Sequence, residues 1–219
     1  MVLELLGPAP NKAKPQITLL DFRGSGALWD AYTATSSAAP SRPLIAKIAN
    51  ISCFREGQPG YTTASRARQA IATEVSLYAG ALASLQGKII PVFHGLLGST
   101  LPDGSEVWCA LLEDEGDPLP RHECSEAVMQ YVPFEAMPAR PLTCLGRVHI
   151  KSLYMTLHAA GVIHKDVSPR HICRRGYHLR LIDFERSMVR GAEDSDEEWA
   201  RHSAQEMAVV KANVLRRGY

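Results

Sequence analysis

The chain has no apolar run approaching the roughly 18 residues that a membrane-spanning helix needs, so an integral membrane protein is not expected. Met1-Val2-Leu3-Glu4 lacks the basic start and the long apolar stretch of a secretory signal, and export is not expected either. An excess of one charge is also missing. The formal net charge is +1 and the basic residues do not cluster with aromatics, which argues against a nucleic-acid-binding module. There is no internal repeat and no low-complexity tract. The five cysteines, Cys53, Cys109, Cys124, Cys144 and Cys173, never fall close together, a spacing that supports neither a zinc site nor a disulfide framework. They read as reduced structural thiols of a cytoplasmic or nuclear protein.

What remains is ordinary for a soluble globular protein: 46% hydrophobic and 21% charged residues, in a length that suits one compact domain or two small lobes. Residues 16–22, 28–34 and 43–49 are short runs with β-branched or aromatic content, separated by Gly, Ser and Pro, and predict an antiparallel meander. Residues 63–85 turn helical, with Ile71, Val75, Tyr78 and Leu82 on one stripe. Residues 89–97 and 106–112 read as two further strands around a turn at Pro102-Asp103-Gly104. After Asp114 the proline-rich stretch through Pro118, Pro120, Pro133, Pro138 and Pro141 reads as a connection between lobes. A long helix over 142–160 then stops at Gly161. A short hairpin follows, turning at Arg174-Arg175-Gly176-Tyr177. An acidic run over 193–198 leads into a last helix over 198–217, with Arg216 and Arg217 suited to its C-terminal end. The order predicts an α+β protein of two lobes, residues 14–114 carrying five strands and one helix, and residues 115–219 mainly helical.

Two charges stand out in this pattern. Lys47 lies inside the apolar run Leu44-Ile45-Ala46-Lys47-Ile48-Ala49, where an ammonium is costly to bury without an anion. Glu74 falls on or beside the buried stripe of the first helix, so pairing would satisfy both groups. The plainer alternative is a lysine pointing outward and a glutamate reaching for water.

The segment Val162-Ile163-His164-Lys165-Asp166-Val167-Ser168-Pro169 follows the helix that ends at Gly161. His164-Lys165-Asp166 resembles the H-R-D catalytic loop of protein kinases, and Asp183-Phe184-Glu185, after the apolar run at 179–182, resembles their D-F-G motif. Leu20-Asp21-Phe22-Arg23-Gly24-Ser25-Gly26-Ala27-Leu28-Trp29 resembles a degraded glycine-rich loop. Gly24 and Gly26 match its first two glycines, and Trp29 stands where the third would be. On its own that G-x-G is most often a hairpin turn. The resemblance covers about residues 20–210, nearly the whole chain. It implies a two-lobed kinase-like fold, a five-stranded antiparallel sheet with one helix followed by a reduced helical lobe. ATP and magnesium are the implied cofactors. Asp166 would be the base that receives the acceptor's proton, Lys47 would clamp the α- and β-phosphates, and Glu74 would hold Lys47. Asp183 would bind magnesium, and residues 111–114, including Glu113, would form the hinge against adenine.

The match also departs from that family. His171 stands where an asparagine would bind the second metal, and it reads either as a poorer ligand or as a structural histidine. Glu185 replaces the glycine of D-F-G. Asp183-Phe184-Glu185 instead resembles the paired metal acids of aminoglycoside and choline phosphotransferases, while the plainer reading is a surface glutamate beside Arg186. The stretch after Asp183 is too short for an activation segment, an A-P-E motif and peptide-binding helices. In that economy the chain resembles minimal fungal kinase-like proteins. Three functions stay open: a phosphotransferase acting on Ser or Thr hydroxyls of proteins, a kinase of small hydroxylated molecules, and a pseudokinase that binds nucleotide or a partner. No nucleic-acid or membrane partner is expected, and the sequence says nothing about oligomeric state.

Overall fold

The turn-separated runs of the first half form an antiparallel sheet, because their inward side chains are apolar and turns such as Pro102-Asp103-Gly104 reverse the chain between them. A computed structural model describes residues 4–5, 16–37, 39–54, 63–119 and 144–215. The chain divides into two compact units, Met1–Tyr78 with Pro91–Asp114 and Ala79–Ile90 with Glu115–Tyr219.

In the first unit the strands are β1 (Glu4–Leu5), β2 (Ile17–Ser25), β3 (Asp30–Ser36), β4 (Ala39–Asn50), β5 (Phe93–Thr100) and β6 (Glu106–Glu113), ordered β1-β5-β6-β4-β3-β2 in one antiparallel sheet. Five are the predicted strands; β1, of two residues, carries too little pattern to be read. β4 starts earlier than predicted, at Ala39. That longer strand includes Pro43, a residue that reads as a strand breaker, and its pairing with β3 shifts register between Ala34 and Ser36. Ile17, Ala34, Leu44, Ala46, Leu97, Cys109 and Leu111 form a buried cluster of the sheet. Burial pushes the Cys109 thiol up to about 12, so it is an inert core group. The helix α1 (Ala64–Ala79) buries Ala67, Ile71, Glu74, Leu77 and Tyr78, and the Tyr78 ring stacks on Phe93 with centroids 5.0 Å apart. It ends before Gly80 rather than at Leu85, which lies in a separate short turn of 3-10 helix.

The second unit is built on α2 (Cys144–Ala159) and α3 (Asp196–Asn213). Ile150, Leu153, Tyr154 and Leu157 fall on one helical stripe of α2 and are fully buried or nearly so. Short strands complete the unit. β7 (Asp117–Pro118), β9 (Ile172–Arg175) and β10 (His178–Leu181) form one small antiparallel sheet, and β8 (Val162–Ile163) pairs with β11 (Met188–Val189). The β9–β10 turn is tighter than predicted, two residues rather than four: Arg175 pairs with His178, and Gly176 at φ 60° takes the left-handed position. α3 starts at Asp196, two residues before the predicted position. Ser195 caps it and Glu198 returns the bond, a capping box that Ser195-Asp196-Glu197-Glu198 spells out. The predicted contributions of Pro120 to Pro141, of Cys124, and of Arg216 and Arg217 lie outside the described residues.

The protein is thus mixed α+β, with an antiparallel sheet and three α-helices among the described residues. None of those helices is long and apolar enough to cross a membrane. Cys53, Cys109 and Cys173 are free thiols.

Candidate functional site

In the first unit the two anomalous charges meet. Lys47 Nζ lies 2.8 Å from Glu74 Oε1, with side-chain exposures of 14% and 4%. The strand register makes room for the lysine: its cross-strand neighbours are Ala31 on β3 and Ala110 on β6, both small and on the same face. The plainer reading, with both charges in water, does not describe this geometry. Breaking such a buried pair from one side costs about 3–5 kcal/mol.

Trp29 is the member of this cluster that sequence reasoning left aside. Its indole Nε1–H donates to Glu74 Oε2 at 2.9 Å, and Lys47 Nζ stands 5.4 Å from the ring centroid. Gly24 and Gly26 flank Ser25 at the end of β2 in a tight hairpin closed by Gly26 N–H donating to Trp29 O at 2.8 Å. Glu113 ends β6, and its N–H donates to the Val92 carbonyl at 2.9 Å. That amide is therefore committed to the residue just before β5.

In the second unit the loop around Asp166 is held from several sides. His164 is fully buried among the rings of Tyr154, His171 and Phe184, whose centroids lie 6.1, 5.9 and 5.0 Å away. Its Nε2 faces the Ile182 carbonyl at 2.9 Å, and its Nδ1 accepts the Asp166 N–H at 3.3 Å. The pairing assigns the neutral Nε2–H tautomer. Burial pulls this imidazole below the usual histidine range, against the raising influence of the Ile182 carbonyl and Glu206.

His171 brings the two aspartates together. Its Nδ1 bonds the Asp166 carbonyl at 2.7 Å, and its Nε2 lies 2.9 Å from Arg170 Nε and 3.3 Å from Asp183 Oδ2. Both ring nitrogens are thus engaged by protein, which suits the structural alternative for His171 and leaves neither for a metal. Asp166 Oδ2 is 3.8 Å from Arg186 Nε, and Glu185 Oε1 is the same distance from that nitrogen. Glu185 is not the surface group of the plainer reading, since its side chain is 15% exposed against 62% for Arg186.

Among the described residues, two that are not glycine have positive φ: Lys165 at 62° and Asp183 at 72°. They sit in the two motif segments. For a lysine the left-handed region costs roughly 1–2 kcal/mol, so something must hold it there. Glu206 of α3 does so. Its Oε1 accepts the Lys165 N–H at 2.6 Å, while Oε2 accepts the His164 N–H at 3.2 Å and lies 2.7 Å from His158 Nε2. Burial raises this carboxyl, but the bonds from His158, Lys165 and His164 outweigh it and leave it below the usual range. Sequence reasoning missed Glu206. The available signal was an acid on the helical face that also carries Trp199 and Val210, all three buried.

Magnesium prefers hard oxygen donors and takes one or two protein carboxylates together with substrate phosphates. Asp183 and Glu185 have that chemistry, and His171 in this geometry does not. Among the described residues no group of three or more His, Cys, Asp or Glu side chains is arranged to hold a metal ion by itself.

No protein-family model matches the chain, and a search of the curated proteins finds no match.

Proposed function

We propose that the protein is a two-lobed, kinase-like phosphotransferase that moves the γ-phosphoryl group of ATP to a hydroxyl, with serine or threonine of a protein as the leading acceptor. The observation that carries this reading is the left-handed pair Lys165 and Asp183, held in segments that also present Asp166 and Asp183 to one histidine. Strained backbone of this kind is kept where the surroundings over-determine it, and such places are commonly reactive ones. Asp166, 22% exposed, would receive the proton of the attacking hydroxyl. Lys47, fixed by Glu74, would meet the phosphates. Asp183 and Glu185 would hold magnesium, which supplies charge neutralisation at the phosphates when bound.

Two observations favour alternative readings. The low exposure of Glu185 supports the paired-acid arrangement of small-molecule kinases. The full engagement of His171 supports a nucleotide-binding pseudokinase.

The test combines thermal shift with transfer of labelled γ-phosphate, including autophosphorylation. At a hundredfold excess over Kd, ATP with magnesium should raise Tm by roughly 5–10 °C. That shift should vanish in Asp183→Asn and label transfer in Asp166→Asn. An ATP shift indifferent to magnesium would favour the pseudokinase, and no shift at all would sink nucleotide binding. Label transfer unchanged in Asp166→Asn would sink the role given to that residue.

A further inference from the structure

The Lys47–Glu74 pair joins a strand to a helix through two long side chains that lose rotamer freedom on pairing, so a third group that orders one of them favours the bridge. In this protein a third group is present. Glu74 offers two carboxylate oxygens, and each is used by a different segment: Oε1 by Lys47 from β4 and Oε2 by the Trp29 indole N–H from the β2–β3 loop. The same indole also presents its ring to the ammonium, 5.4 Å from centroid to Nζ. Trp29 is only 5% exposed, so its position is that of a packed side chain and not of a mobile loop tip.

The loop backbone sets that position in advance. Ser25 pairs with Asp30 in the strand register, their side chains bond across the turn, and Gly26 N–H closes it onto Trp29 O. Leu28, 8% exposed, is buried beside it. If α1 moved so that Glu74 left the cluster, the Trp29 N–H would lose its acceptor inside the protein. Lys47 would lose its bond to Glu74 in the same step. One motion would thus break two charge-assisted bonds, and the Trp29 N–H that gives up one of them is buried.

We propose that Trp29 is a positioning residue that keeps the Lys47–Glu74 pair assembled without any nucleotide, by binding the second oxygen of Glu74 and covering the ammonium of Lys47. α1 is then fixed to the sheet as a standing arrangement rather than one that a ligand induces. The inference deepens the phosphotransfer reading and rests on it for the use made of the pair, but the assembly itself is a property of the first unit.

The experiment uses the full chain without ATP. Hydrogen exchange of the α1 amides and the rate of acylation of Lys47 at fixed pH, both read by mass spectrometry, are compared for wild type, Trp29→Phe and Trp29→Leu. Trp29→Phe keeps a ring over Lys47 and deletes the N–H. It should speed α1 exchange at least fivefold and Lys47 acylation at least threefold, and Trp29→Leu should speed both further. Adding Trp29→Phe to a Lys47→Met, Glu74→Leu chain, whose apolar replacements suit a buried site, should change α1 exchange by less than twofold. The proposal is overturned by unchanged rates in Trp29→Phe. An effect of equal size in the uncharged background also overturns it, because Trp29 would then act by packing alone. Should Trp29→Leu fail to fold, Trp29→Phe and the uncharged background decide. Failure of wild type to bind ATP would sink the phosphotransfer reading and leave these rates readable.

Discussion

Glu206 Oε1 accepts the backbone N–H of Lys165 at 2.6 Å, so a carboxylate on the last helix holds the left-handed residue immediately before Asp166. One side chain thereby ties the conformation of the Asp166 loop to the packing of α2 against α3. Glu206→Ala should lower stability by about 3 kcal/mol, because it leaves two backbone N–H groups without an acceptor and removes the partner of His158. Urea denaturation measures this; a loss under 1 kcal/mol would show that the loop holds itself.

The backbone at Lys165 gives the opposite prediction. Its side chain is exposed and only its N–H is used by Glu206. Lys165→Gly should leave stability unchanged or raise it by up to about 1 kcal/mol, since glycine takes positive φ without a Cβ clash. Lys165→Val should lower it by about 1–2 kcal/mol, as branching at Cβ is worst there. Equal stabilities of the two variants in chemical denaturation would contradict the left-handed assignment.

Gly116 offers a sharper steric case. At φ 81° it already favours glycine, and a Cβ would run into the Arg174 carbonyl. Gly116→Ala should cost about 3 kcal/mol, the sum of a backbone and an overpacking penalty. A midpoint within 0.3 M urea of wild type would mean that the two segments lie further apart than described.

Stability should also depend on pH in a stated direction. The folded His164 imidazole titrates below its ordinary 6.5, so the unfolded chain binds the extra proton first. Its contribution is intact above 6.5 and declines as pH falls below that value. The carboxyl of Glu206, held below its ordinary 4.5, adds a second loss as pH falls through 4.5 and lower. Urea midpoints from pH 8 to 4 should be level at first, then fall in two stages. A midpoint that rises between pH 6.5 and 5 would overturn the neutral assignment of His164.

How far the sequence disclosed this protein varies with what was being read. The strands β2 to β6 and α1 were legible because β-branched or aromatic runs bounded by turn residues, and helical periodicity, are local signals. The pairing of Lys47 with Glu74 was legible for a different reason, since each charge was anomalous alone. β1 was not, because a strand of two residues has no period. Glu206 was missed because its role is non-local: the helical face it shares with Trp199 and Val210 marks it as buried, but its three donors, His158, His164 and Lys165, lie more than forty residues away in sequence. Trp29 was noticed only as a substitute for a glycine, and its bond to Glu74 is a fact of packing. His171 shows the limit most clearly. The sequence left two roles open, and the choice turns on Arg170 and the Asp166 carbonyl, which only the folded loop brings to its two nitrogens.

The backbone of Asp183 has a consequence for how this chain can change over generations. At φ 72° the position tolerates glycine, asparagine and aspartate far better than other residues. Asparagine is one base change away from aspartate. It keeps the turn intact while removing the negative charge, so if Asp183 holds magnesium as proposed, the shortest mutational route out of that role leaves the architecture untouched. On the proposed function, descendants without the reaction would differ from those with it by one atom type in a single side chain, not by any visible change of shape.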